Sequence, residues 1–296
     1  MQQTKNMGLF ASLMAIGVAL IWGGNFAASK YALLHFPPFY VIFIRYLLVV
    51  VLLLPFARPS GLKKSQLFTL SLLTISLHFT LVFSALWLGL NIGTTVVVIQ
   101  LGAPFSCLLG VIFLKDLMGP WRTFGMVVAF IGIIVVAGTP EVADNWFAFL
   151  LAIAGACAWA GSNVYLKTLG SIPVVPLLFW TGLFSLPQTL CVSLLIEHNH
   201  IALLQAAPVT AWFGIVYSAV FSTMLGYGMW YWLLRNYNVS QVTPYSLLVP
   251  IGGFSSGIIF FNEQLTLHML IGAAITIAGV AIITIRRPKL VPAPRA

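Results

Sequence analysis

Charge is what this sequence has least of. Only 6% of its 296 residues are Asp, Glu, Lys or Arg, against about 25% in a soluble domain. With 60% of its residues hydrophobic, such a chain has too little polar surface to cover itself in water. Acids are the scarcest, five against fourteen Lys and Arg. The three cysteines, Cys107, Cys157 and Cys191, all lie within apolar stretches. They read as small buried hydrophobes, and nothing indicates a disulfide framework or a metal site. No HExxH, GxSxG or phosphate-binding loop occurs, so the usual marks of hydrolases and nucleotide enzymes are missing. His198 and His200 beside Glu197 read as solvated loop residues, since a metal site needs three or four converging ligands. No cofactor is expected.

What the sequence has is long apolar runs. The hydrocarbon core of a bilayer is about 30 Å thick and takes about 20 residues per helix. Such runs cover residues 8–29, 38–56, 66–88, 92–114, 122–138, 146–166, 174–196, 210–234, 240–261 and 268–285. They are continuously apolar, whereas barrel strands would alternate over about ten residues. The expected fold is therefore all-α and integral to the membrane, with ten transmembrane helices in the lipid bilayer. The first run follows Lys5 and passes Ala27-Ala28-Ser29, which resembles a cleavage region. Its length and the spans after it mark an uncleaved first helix.

The basic residues, with a net charge of +9, fall singly or in pairs between the runs. That is the pattern of membrane topology, and no nucleic-acid partner is expected. With the N-terminus inside, inner segments hold Lys5, Arg58, Lys63, Lys64, Lys115, Arg122, Lys167, Arg235, Arg286, Arg287, Lys289 and Arg295. Outer segments hold only Lys30, and Arg45 is left within the second span. Losing or adding one helix would scramble this asymmetry. Both termini are expected in the cytoplasm.

The two halves resemble each other. Trp22-Gly-Gly-Asn25 followed by Lys30 matches Trp159-Ala-Gly-Ser162 followed by Lys167 at one common offset. Asn91, Gly110, Phe113, Gly125 and Gly132 match Asn238, Gly257, Phe260, Gly272 and Gly279 at a second constant offset, and Asp116 pairs with Glu263 at the same one. Five helices per half is an odd number, so the second half enters the membrane with opposite orientation. The expected organisation is residues 1–138 and 146–285 as inverted five-helix repeats, with 286–296 as a basic cytoplasmic tail. Inverted repeats are a common build for secondary transporters, with the site near the midplane.

Polar side chains at membrane depth are the better guide to that site. Asn25 follows Gly23-Gly24, a pair that either loosens the helix or serves close packing. His78 either faces a cavity or bonds back to its own helix. Gln100 precedes Gly102 and Pro104; Asn163 lies one turn after Trp159. Tyr227 and Tyr245 read as cavity residues in two aromatic, proline- and glycine-rich spans. Arg45 has no acid at matching depth. It either snorkels, binds backbone carbonyls, or faces a wet cavity as a contact for an anion. Asn25, His78, Gln100, Trp159, Asn163, Tyr227 and Tyr245 are thus the candidate substrate contacts, with Arg45 as an anion or structural contact.

Taken together, Trp22-Gly-Gly-Asn25-Phe26, Phe43-Ile-Arg45-Tyr46, Lys115-Asp116, and the stretch from Gly226-Tyr227-Gly228 through Ser246-Leu-Leu-Val-Pro250 to Glu263 resemble the EamA-type transporters of the drug/metabolite transporter superfamily. The last stretch is especially similar to bacterial exporters of O-acetylserine and cysteine. The resemblance implies a multi-pass protein of the bacterial inner membrane, exporting amino acids or related small metabolites from a cavity between the halves. No mid-span acid is available for a proton relay, so a gradient-driven uniport working by alternating access is expected. A proton-coupled antiporter working through His78 is the alternative, and an integral-membrane enzyme or scaffold the alternative of another class. Topology is testable at once. Reporter fusions after Ser60 and Val142 are expected to give opposite signals, the first cytoplasmic; matching signals would refute the ten-helix plan.

Overall fold

The computed structural model of the chain describes residues 7–170, 172–237 and 239–285. Lys5, Asn238 and the basic tail with Arg286, Arg287, Lys289 and Arg295 lie outside the described residues. Among the described residues there is no strand, and ten helices are long and apolar enough to cross a membrane. They are α1 (Leu9–Leu33), α2 (Pro38–Phe56), α3 (Lys64–Trp87), α4 (Ile92–Leu114), α5 (Pro120–Ala137), α6 (Trp146–Thr168), α7 (Val174–Ile196), α8 (Val209–Asn236), α9 (Thr243–Phe261) and α10 (Leu267–Ile285).

Helices satisfy their own backbone polar groups, which hydrocarbon demands of any lipid-exposed span. Side chains facing outward are apolar: Ile112, Phe113, Ile134, Leu195 and Ile259 are all exposed. In water that surface would aggregate; against lipid tails it is the matching solvent. The ends differ from the sequence reading by a few residues. The largest difference is at α1, which runs through Leu33 and so holds Lys30 in its last turn rather than in a loop. Cys191 is exposed and Cys107 and Cys157 half-buried, which corrects the expectation that all three are buried. A thiol is apolar enough to sit against lipid.

Short connections make successive helices antiparallel, so the bundle has a Lys30 end and a Lys167 end. Leu9 and Ile285 both fall at the Lys167 end. α5 and α10 lie side by side through glycine. A Cβ on Gly125 would come 2.7 Å from the Gly279 carbonyl, and one on Gly132 2.7 Å from that of Gly272. Gly23 of α1 meets Gly252 of α9 in the same way, 2.6 Å from a Cβ to the facing Cα. That decides the Gly23-Gly24 question at the first glycine: α1 is a continuous helix, and Gly23 serves close approach.

Four helices depart from α geometry away from their last turn. α3 widens to a π-helix over Leu72–Leu77 and α8 over Tyr217–Gly226, a feature frequent at functional sites. α4 tightens to a 3₁₀ turn at Ile99–Leu101 and α9 at Thr243–Leu248. Pro104 and Pro250 lie in the first turn of the α-helices that resume, Gly102–Leu114 and Val249–Phe261, where a missing N–H is tolerated. The two resumed helices are equal in length, and their first and last residues keep the offset of the matched glycines. Each closes on a left-handed residue, Lys115 at φ 56° and Asn262 at φ 51°. The next amide then bonds back to glycine: Asp116 to Gly110 O at 3.2 Å, Glu263 to Gly257 O at 3.1 Å. The matched glycines of the sequence thus mark matched backbone geometry.

The α5–α10 contact has a direct test. Gly132→Val places methyls where Thr276 and the α10 backbone already sit, and overpacking of this kind costs about 1–3 kcal/mol. It is expected to lower the thermal midpoint in detergent. Gly17→Ala, with nothing within 4 Å of the added Cβ, is expected to leave the midpoint unchanged. Equal midpoints for the two variants would mean that α5 and α10 are not held in close contact.

Candidate functional site

The site begins with Arg45. It stands seven residues into α2, about 10 Å below the Lys30 end at 1.5 Å per residue, and it is completely buried. Its Nε and Nη2 donate to Thr223 Oγ1 at 3.2 and 2.7 Å. Its guanidinium lies 4.4 Å over the Phe79 ring and 5.4 Å from that of Tyr46. Arg45 therefore does not snorkel, and its acceptor is a hydroxyl rather than a backbone carbonyl. Thr223 can serve because α8 is π-helical here: its hydroxyl donates to Ser218 O, five residues back, at 2.8 Å, leaving its lone pairs for arginine. Tyr46, Tyr227 and His78 all lie within electrostatic reach of the guanidinium.

His78 directly follows the π segment of α3. Its Nδ1 donates across the bundle to Gly155 O of α6 at 2.9 Å, and its ring stands 5.0 Å from Trp159. This is neither an open cavity position nor a bond back to its own helix. A missing Cβ at Gly102 makes room for Trp159, whose Cδ1 would lie 3.0 Å from it. Gln100, half-buried in the 3₁₀ turn of α4, stands two residues before that glycine.

Asn25 belongs to the α1–α8 seam. Trp22 donates to Ser222 O at 3.1 Å, and Ser29 shares a 3.2 Å hydrogen bond with Ser218. Asn25 lies between them on the same helical face, nearly buried, with its Oδ1 lacking any partner. Tyr227 packs 5.4 Å from Trp22. Asn25, Arg45, His78, Trp159 and Tyr227 thus fall around the two π segments. Tyr245 and Asn163 do not join them. Tyr245 packs with Trp230 against Ala11, Ala15, Leu233 and Val242, close to the Lys167 end. Asn163 is exposed. An apolar crevice of about 350 Å³ between α1 and α8, lined by Met14, Met224, Leu225, Gly228, Met229 and Trp232, holds none of these polar groups.

Acids sit at the ends, and they cap helices. Glu263 accepts Lys30 Nζ and Ile92 N from its Oε1 side at 3.0 and 2.7 Å and Gly93 N at 3.0 Å. Glu141 takes Asn91 N and Thr94 Oγ1 at 2.8 Å each. Glu197 takes Phe39 N and Tyr40 N at 2.8 and 3.0 Å. The first turns of α2 and α4 thereby gain carboxylates at their positive dipole ends. His200 donates to Ser193, which donates to Glu197, at 2.8 and 2.6 Å. It is therefore part of this cap rather than a free loop residue. At the opposite end Lys167 Nζ meets Asp116 Oδ2 at 2.7 Å, both side chains exposed. No group of three or more His, Cys, Asp or Glu converges among the described residues.

The profile of the EamA-like transporter family matches residues 9–138 and again 146–285. The chain belongs to that family. A probable amino-acid metabolite efflux pump of Salmonella typhimurium is 31% identical over 278 residues, covering 91% of this chain and 93% of the relative. Its namesake in Escherichia coli is 27% identical over the same shares. A solved crystal structure at 15% identity shares the fold alone, with a TM-score of 0.63 over 93% of this chain and 96% of the other.

As an EamA-family protein the chain is a multi-pass membrane transporter rather than an enzyme. Two features of its site escaped the sequence reading. Thr223 carries no motif, and the available signal was a hydroxyl at mid-span opposite a lone arginine. The capping by Glu141, Glu197 and Glu263 was hidden because acids carry little topological weight and their targets are backbone amides.

Proposed function

We propose that the chain exports amino acids or related small metabolites across the bacterial inner membrane as a gradient-driven uniport, by alternating access between two inverted five-helix repeats. Residues 1–138 and 146–285 are the repeats, and 286–296 is a cytoplasmic tail. The observation that carries this reading is the pair of ion bridges. Lys30–Glu263 and Lys167–Asp116 each join one half to the other, at opposite ends of the bundle. Lys167 is the repeat equivalent of Lys30 and Glu263 that of Asp116, so the repeat exchanges one bridge for the other. One is buried, with side chains 17% and 4% exposed, the other open, at 61% and 46%.

Alternating access needs one end latched while the other is loose. Here the Lys30 end is latched, with Glu263 also gripping the first amides of α4. In the opposite state Asp116 takes that part, receiving the amides of residues 239 and 240, the repeat equivalents of Ile92 and Gly93. The α5–α10 glycine contact supports the same symmetry: Gly125 meets Gly279 and Gly132 meets Gly272, each the other's repeat image. Uncharged polar groups around a single arginine suit zwitterions better than phosphates, which call for several cations. The names of the efflux-pump relatives favour the same class.

Purified protein in liposomes is expected to move amino acids down their gradient with no imposed pH gradient. Uphill accumulation driven by a pH gradient and lost in His78→Ala would replace uniport with proton exchange. The latch has its own test. In a cysteine-free background carrying Thr95→Cys, behind the buried bridge, labelling by a charged thiol reagent is expected to rise in Glu263→Ala. It is expected to stay low in Lys167→Ala, because an exposed pair contributes about 0–1 kcal/mol. Equal labelling in both would refute the latch.

A further inference from the structure

We propose that Arg45 and Asn25 read the two ends of a zwitterion, Arg45 Nη1 taking the carboxylate and Asn25 Oδ1 the ammonium. This rests on the export reading above and gives it a recognition chemistry.

The argument starts from an unpaired charge. Arg45 is 0% exposed and remains charged in proteins. An isolated buried charge is strongly unfavourable without a partner. None of the chain's five acids can be that partner. Asp116 and Glu263 hold lysines, Glu141 and Glu197 hold backbone amides, and Asp144 is exposed in the connection after α5. The aromatic faces of Phe79 and Tyr46 and the Thr223 hydroxyl soften the burial without neutralising it. Thr223 occupies Nε and Nη2; Nη1 has no partner. A guanidinium offers donors in a planar fork matched to a carboxylate, and here one arm of that fork, Nη1, has no partner among the described residues.

The second orphan has the complementary character. Asn25 Oδ1 is a buried acceptor without a donor. Its neighbours on the same face, Trp22 and Ser29, bond Ser222 and Ser218 of the π segment Tyr217–Gly226. Arg45 bonds Thr223 of that same segment. One free donor with positive charge and one free neutral acceptor therefore lean on one stretch of α8. Charge excludes doubly negative ligands, and against a plain monocarboxylate it is the free Asn25 acceptor that favours a zwitterion. A single +1 site balances one carboxylate, whereas a phosphate ester or a diacid would leave a second negative charge uncompensated. A neutral carbonyl oxygen suits an ammonium, whose three protons need acceptors.

The test is flux in liposomes, first with neutral amino acids, then with the carboxamide and the deaminated acid of the best one. Wild type is expected to prefer the acid over its carboxamide by about tenfold or more. Arg45→Gln is expected to abolish that preference. Asn25→Val is expected to lower flux of the amino acid while sparing the deaminated acid. If wild type moves no amino acid at all, the export reading fails. If it moves acid and carboxamide equally well, export stands and the role of Arg45 is overturned. Should Arg45→Gln fail to fold, the wild-type ratio, together with thermal stabilisation of wild type by acid against carboxamide, decides the same point. Equal losses for amino acid and deaminated acid in Asn25→Val would overturn the role of Asn25.

Discussion

Glu263 ties one half of this molecule to the other. Its carboxylate accepts from Lys30 at the end of α1 and from the amides of Ile92 and Gly93 at the start of α4, and its own amide closes α9. The two amide bonds satisfy donors that no intrahelical acceptor can reach, because the first amides of a helix are always orphaned. The carboxylate folds back over Gly257, where a Cβ would stand 2.5 Å from Oε2. Glycine six residues before the acid leaves the room that this fold-back uses. Three helix ends from both halves of the chain are tied at one point.

The same constraint explains the distribution of acids. Hydrocarbon penalises charge, so carboxylates are confined to the ends. At an end, a carboxylate finds either a lysine or a helix N-terminus. The Lys30 end has α2 and α4 beginning there, and Glu197, Glu141 and Glu263 cap them. The Lys167 end has Asp116 in an exposed pair. Sequence alone shows four of five acids on one side without a reason for it. Three of the four share a reason, the positive ends of two helices; the fourth, Asp144, is exposed in the connection after α5.

How legible was the rest? Ten helices could be read because each apolar run matches the bilayer thickness and the basic residues gather at alternate breaks. Gly110, Gly125 and Gly132 with their partners in the second half could be read because glycine is chosen by backbone approach, and approach is set by the fold. The site was less legible. Asn25, Arg45, His78, Trp159 and Tyr227 are brought around one region, whereas Tyr245 lies near the Lys167 end and Asn163 is exposed. Polarity identifies a residue as unwelcome in lipid, but helix rotation and depth decide what it meets. Those depend on contacts such as Gly102 with Trp159, and on π segments that insert an extra residue per turn and turn every later side chain. A glycine such as Gly102 marks a close approach without naming its partner, and the π segments leave no mark in residue type.

Matched backbones do not carry matched chemistry. π segments begin at Leu72 and Tyr217, and aligning those two starts sets His78 against Thr223. One is a ring that donates to Gly155, the other the hydroxyl that receives Arg45. The second helices begin at Pro38 and Val174, which sets Arg45 against Thr181, a residue that only bonds its own helix. So the scaffold repeats, and with it the charges at its two ends, whereas the buried arginine and its polar partner do not. A transporter gains from that division. Under the proposed alternating access, equivalent halves would give two end-states built of the same contacts, and a ligand of modest affinity would suffice to pass between them. On the proposed zwitterion reading, the single buried arginine gives the site a direction, so that a molecule with distinct ends enters it one way round.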